Sequence, residues 1–163
     1  MKIIYLIRHA KSSWKDQRLM DFNRPLNKRG KKDAPFMGEK LKEKHIKPDL
    51  ILSSPANRAK KTAQAIAEKI SYPAEKIGFN DEFYDASEIT ILNHIKKLDE
   101  KFNSIMIFGH NPGLTQLNNL ISDNYIDNIP TCGIVALDCD KQWSEVGKNS
   151  CRIIFFEYPK KYY

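Results

Sequence analysis

The sequence predicts an α/β domain, a three-layer α/β/α sandwich with a mostly parallel central sheet. Three observations carry that expectation. Short apolar runs alternate with helical stretches along the whole chain. The first run is apolar on both faces, as a strand buried inside a parallel sheet is. Serine or asparagine followed by proline marks two helix starts directly after strands. With 163 residues, 41% of them hydrophobic, the chain suits a single domain over 1–163 with one core.

Taken in order, residues 2–7 form a first strand, because β-branched and other apolar side chains fill nearly every position. Residues 10–27 are polar and irregular, with Trp14 and Phe22 embedded; a loop this long is often functional. Asn27 caps a helix from about residue 28 to 44, on which Ala34, Met37 and Leu41 share a face. Pro35 requires that the helix begin near it or kink. Residues 49–53 are a second strand. Ser54-Pro55 then starts a helix whose buried stripe is Ala59, Ala63, Ile66 and Ala67. A short strand at 77–79 precedes a helix over 88–98 that carries Ile91, Ile95 and Leu98. Residues 104–108 form a third strong strand, and Asn111-Pro112 starts the helix through Leu117 and Leu120. Two more strands, 133–137 and 152–156, flank a polar hairpin-like connection over 138–150.

Composition narrows the function classes. No apolar run approaches the roughly 18 residues that span a bilayer, so the expectation is a cytoplasmic protein without a membrane partner. Cys132, Cys139 and Cys151 are odd in number and not closely paired, which argues against a disulfide framework. No Cys-x-x-Cys or His-Glu-x-x-His occurs, so neither a metal site nor a cofactor is expected. A net charge of +7 suits an anionic substrate, although most lysines fall on helices where a solvated face explains them. A basic cluster interleaved with aromatics is confined to the last six residues, so no nucleic-acid partner is expected.

Ligands of open α/β sheets bind at the carboxyl ends of the strands. Three predicted strands end in residues suited to phosphate: Arg8-His9, Ser53-Ser54 and Gly109-His110-Asn111. Arg58 follows in the helix after Ser54. The helix starts at Ser54 and Asn111 should add unpaired N–H groups and partial positive charge. Arginine offers a rigid fork of donors matched to phosphate oxygens. A neutral imidazole is a nucleophile, and a protonated one is a charged donor to an oxyanion. Singly, each of Arg8, His9, Arg58 and His110 has a structural explanation; their gathering at one predicted edge favours a site.

These residues resemble the histidine phosphatase superfamily, the phosphoglycerate mutase-like family. The carrying motifs are Arg8-His9-Ala10, Arg24-Pro25-Leu26-Asn27-Lys28-Arg29-Gly30, Ser53-Ser54-Pro55-Ala56-Asn57-Arg58, and Gly109-His110-Asn111-Pro112-Gly113. They span about residues 2–137. Chain size and the run from Arg8 to Trp14 are most similar to SixA-type phosphohistidine phosphatases. The resemblance implies a phosphoglycerate mutase-like fold and covalent catalysis. His9 would attack phosphorus in line, Arg8, Arg58 and His110 would hold the phosphoryl oxygens, and water would hydrolyse the phosphohistidine. A backbone carbonyl would fix the tautomer of His9. Ala10 stands where the family has glycine, implying a conformation open to an L-residue. The proton donor would be Asp85 or Glu82, with Asp16 and Asp21 as further options. Lys11, Ser12, Arg24 and Asn111 are further expected substrate contacts.

The leading function is therefore a metal-independent phosphatase acting on a phosphohistidine-bearing protein or a small phosphorylated substrate, as a monomer. A phosphoryl transferase or mutase would return the group to substrate instead of water. A non-catalytic module would bind phosphate without turnover.

Overall fold

The computed structural model describes residues 1–163. The strands are β1 (Lys2–Arg8), β2 (Leu50–Ser53), β3 (Gly78–Phe79), β4 (Ser104–Gly109), β5 (Ile134–Cys139) and β6 (Cys151–Glu157). The helices are α1 (Lys28–Glu43), α2 (Asn57–Lys69), α3 (Glu88–Lys96) and α4 (Gly113–Ile121). The strand order is β3-β2-β4-β1-β5-β6. Neighbours are parallel from β3 to β1, and only β5 runs against the rest, antiparallel to both β1 and β6. The expected three-layer α/β sandwich with a mostly parallel sheet is the observed fold.

Alternation of side chains along each strand divides the interior in two. Ile4, Leu6, Ile105, Ile107, Val135 and Leu137 face Ile91 and Ile95 of α3 and Leu114, Leu117 and Ile121 of α4. Tyr5, Ile7, Met106, Phe108, Ile134 and Ala136 face Ala34, Met37 and Leu41 of α1 and Ala63, Ile66 and Ala67 of α2. The two helix pairs thus cover opposite faces. The expected single core is two apolar layers separated by the sheet. No helix is long and apolar enough to cross a membrane.

Register then places the site. Arg8 pairs with Gly109 across β1 and β4, and Ser53 pairs with Phe108 across β2 and β4. The polar residues after these three strands consequently emerge side by side at one edge of the sheet. Two glycines let loops close over that edge. A Cβ on Gly30 would collide with the Lys11 carbonyl, and one on Gly113 with the Ala86 carbonyl. Glycine there permits α1 to hold the 10–27 loop and α4 to hold the segment after β3.

Several sequence expectations are corrected. Cys139 and Cys151 form a disulfide. They are twelve residues apart in sequence, yet β5 and β6 pair them directly opposite each other. Cys132 alone is free, and it is buried. α2 begins at Asn57, not at Ser54-Pro55, because the Ser54 hydroxyl instead closes a turn onto the Ala56 N–H. α4 begins at Gly113 after a cis Asn111–Pro112 peptide. Pro35 lies inside α1, so of the two expected placements the first turn is ruled out. Asn27 does cap α1, accepting from the Gly30 N–H.

Candidate active site

His9 follows the last residue of β1 and is only 7% exposed. Its N–H bonds to the Gly109 carbonyl at 3.1 Å, so the ring is tied to the end of β4. The His9 Nδ1 lies 2.8 Å from the Ala10 carbonyl oxygen. A carbonyl only accepts, so Nδ1 carries the hydrogen and the lone pair is at Nε2. This is the tautomer-fixing carbonyl expected from the sequence. Ala10 lies outside the left-handed backbone region, which explains how alanine serves at that position. Its N–H donates to Thr62 Oγ1, whose hydroxyl donates in turn to the Arg58 carbonyl. The segment after β1 and α2 are thereby joined through one threonine.

Arg8, Arg58 and His110 surround this imidazole. The His9 and His110 ring centroids are 5.2 Å apart. Arg8 Nη1 donates to the Ile129 carbonyl at 3.0 Å, and Arg58 Nη1 donates to the Asp21 carbonyl at 2.8 Å. His110 Nε2 lies 2.8 Å from Ser54 Oγ. Ser54 Oγ also accepts from the Ala56 N–H, and in the tautomer in which its hydroxyl donates to Nε2 the His110 hydrogen sits on Nδ1. Three buried nitrogens have no partner: Arg8 Nε, Arg58 Nε and His110 Nδ1. Buried polar groups are nearly always satisfied, and an orphan costs about 1–3 kcal/mol. Three such nitrogens on residues around one buried imidazole leave hydrogen-bonding capacity that an anionic ligand could take up.

Burial pushes the His9 imidazole down to about 3, opposed by the Ala10 carbonyl; the charges of Arg58 and Arg8, and the repulsion that a protonated His110 would exert, act in the same direction as burial. His110 is pushed down to about 4, again first by burial and then by Arg58. Both rings are therefore neutral at rest, whereas the sequence suggested one neutral and one protonated. An arriving dianion would reverse the field and favour a proton on His110. The stability consequence has a definite sign. In the unfolded chain both rings take a proton near pH 6.5, but in the folded protein not until about 3 to 4. Their contribution is whole above pH 6.5 and is lost as the pH falls toward 4. Urea unfolding from pH 7 to 4.5 is expected to show this loss, reduced by saturating phosphate and reduced in His9→Asn. Identical pH slopes in all three samples would contradict it.

Asp85 is exposed at the rim with φ 55°, between Tyr84 and Ala86. Glu82 is turned to His94 at 2.9 Å, and Asp16 to Arg18. Asp21 accepts from Arg24 Nε, Arg58 Nη2 and the Tyr84 hydroxyl. That Tyr84 bond, followed by those to Arg58 and Arg24, holds its carboxyl down at about 2 against a partial desolvation. An acid so strong is a poor proton donor near neutrality. Lys11 is exposed with no side-chain hydrogen bond, near the loop mouth. Ser12 and Arg24 bond to each other at 2.7 Å, and the Arg24 guanidinium lies 3.4 Å above the Trp14 ring. The Asn111 amide is consumed internally, bonding Asn128, Ile129 and Thr115. It braces the segment that also receives Arg8.

Sequence reasoning missed Thr62 and Tyr84. Thr62 stands one helical turn after Arg58, a spacing that puts both on one face of α2. Tyr84 lies in a segment searched only for acids; its ring meets His110 edge-on at 5.6 Å.

The molecule is an α/β protein whose sheet edge gathers two arginines and two neutral histidines with buried, unpartnered nitrogens. Comparison with known proteins makes this specific. Residues 4–83 match the family model for the histidine phosphatase superfamily, branch 1. An uncharacterised chloroplastic protein of Arabidopsis thaliana is 30% identical over 151 residues, covering 87% of this chain and 69% of that one. A proposed phosphohistidine phosphatase SixA from Agrobacterium tumefaciens superposes with a TM-score of 0.83 at 32% identity, covering 97% of this chain and 98% of that one. A protein histidine phosphatase SixA complexed with tungstate shares the fold, with a TM-score of 0.84 at 18% identity over 98% of both chains. The chain belongs to the histidine phosphatase superfamily.

Proposed function

We propose that the protein is a phosphatase that hydrolyses phosphohistidine through a covalent phosphohistidine on its own His9. The observation that carries this reading is a buried His9 with its lone pair on Nε2, beside Arg8, Arg58 and His110, whose Nε, Nε and Nδ1 are buried and without partners. His9 Nε2 attacks phosphorus, the bond from phosphorus to the departing imidazole breaks, and that imidazole takes up a proton. Water then attacks phosphorus, the bond to Nε2 breaks, and inorganic phosphate leaves. Arg8, Arg58 and His110 bind the equatorial oxygens through both steps, where charge is densest.

Asp85 is the proton donor in this scheme, since Asp16, Asp21 and Glu82 are each engaged by a basic partner. An exposed rim carboxylate gives modest acid help. That suits a phosphoramidate of imidazole, whose leaving group departs more readily than an alkoxide. The relative of known name in Agrobacterium tumefaciens supports the same substrate class. Rates measured side by side on a phosphohistidine protein, phosphoserine and sugar phosphates, with EDTA present, test the reading. Phosphohistidine is expected to be turned over at least about tenfold faster. Faster release from a sugar phosphate, or an isomerised product, would overturn it.

A further inference from the structure

Asp21 is the most heavily bonded exposed carboxylate beside the site, and no step above uses it. Its side chain is 46% exposed, yet Oδ1 accepts from Arg24 Nε at 3.1 Å, and Oδ2 accepts from Arg58 Nη2 at 3.0 Å and from the Tyr84 hydroxyl at 2.6 Å. Its backbone carbonyl takes Arg58 Nη1 as well. Three segments meet on this residue: the 10–27 loop, the first turn of α2, and the segment after β3. Phe22 packs edge-on against Tyr84 at 5.2 Å, so the junction also has an apolar side.

We propose that Asp21 is a positioning residue that clasps the terminal nitrogens of Arg58 from the solvent side and so aims the buried Nε into the oxyanion site, with Tyr84 fixing the carboxylate. This rests on the phosphatase reading above.

The donor inventory of Arg58 supports this division. A guanidinium has five N–H bonds in a fixed plane. Asp21 takes one from each Nη, which fixes the plane and leaves three donors, including the buried and unpartnered Nε. Arginine is useful to a phosphoryl group only if its fork is pre-aligned, because a free side chain loses rotamer entropy on binding. A carboxylate beside an anion site also has a cost, since it cancels one positive charge. Here that charge is shared between Arg24 and Arg58, and Arg8 is not involved, so the cluster remains net positive. Asp21 stays ionised throughout the neutral range, so the clasp is permanent there.

A blocking role is the rival explanation, with Asp21 standing where phosphate should bind. The two make opposite predictions. Orthovanadate affinity and steady-state hydrolysis should be compared in wild type, Asp21→Ala, Tyr84→Phe and the double variant. Hydrolysis that requires His9 in the wild type secures the phosphatase reading separately. Asp21→Ala is expected to weaken orthovanadate roughly tenfold and to lower kcat roughly tenfold to a hundredfold, with a smaller change in KM. Tyr84→Phe should move both quantities the same way by less. The double variant should fall no further than Asp21→Ala, because Tyr84 acts through Asp21. Tighter orthovanadate binding in Asp21→Ala would show a blocking role and overturn the proposal. So would a lowered Tm with kcat and orthovanadate affinity unchanged, the mark of a loop brace. Additive losses in the double variant would overturn the part assigned to Tyr84. Should Asp21→Ala fail to fold, Tyr84→Phe still decides: unchanged kcat and affinity would overturn the clasp.

Discussion

Replacing His9 with alanine is expected to lower phosphohistidine hydrolysis by at least roughly 10^4-fold, because no other side chain offers an unprotonated nucleophilic nitrogen to the same donors. His110, the neighbouring imidazole, spends Nε2 on Ser54. It cannot take over the attack without losing that bond. The variant should fold, since the ring of His9 makes one side-chain hydrogen bond and the strand geometry rests on backbone pairing with Gly109. Oxyanion binding should survive in part, because Arg8, Arg58 and His110 remain. Steady-state assays of phosphate release check the first statement, and orthovanadate titration the second. Retained turnover in His9→Ala would remove the basis for covalent catalysis.

Replacing Arg58 with alanine is expected to cost roughly a thousandfold in kcat/KM. The loss has two origins. One unpaired donor and a full positive charge leave the oxyanion site. Asp21 also loses a cationic partner and becomes a partly free carboxylate beside an anion site. Arg58→Lys should recover little, since an ammonium cannot present a planar fork to Asp21 and a phosphoryl oxygen together. The comparison of Arg58→Ala with Arg58→Lys by kcat/KM checks this. Near-complete recovery in lysine would mean that charge alone is needed and geometry is not.

Much of this site was legible from the sequence because parallel strands order it. Arg8-His9, Ser53-Ser54 and Gly109-His110 each end an apolar run, and parallel pairing sends all such ends to one edge. Arg58 was legible for a related reason, standing near the start of the next helix. Less was legible where a residue's partner lies far away in sequence. The Cys139–Cys151 bridge depends on the β5–β6 register, which spacing alone does not reveal. Ser54 and Asn111 carried helix-start signals; Asn111 Oδ1 does accept from the Thr115 N–H in the first turn of α4, but its amide nitrogen is drawn to the segment 128–129 and Ser54 to His110. Cap chemistry and site chemistry use the same residue types, so sequence cannot separate them. Asp21 is the sharpest case. A carboxylate in a long loop reads as a possible acid, and only its contacts with Arg24, Arg58 and Tyr84 show it held as an ionised acceptor.

The measurement that tests the covalent mechanism most directly is rapid quenching of the enzyme with a phosphohistidine protein, followed by peptide mass spectrometry under alkaline conditions. The account predicts an acid-labile phosphoryl group on His9, formed within the first turnover and absent from His9→Ala. A phosphoryl group on any other residue, or phosphate released with no phosphoenzyme at any quench time, would contradict it.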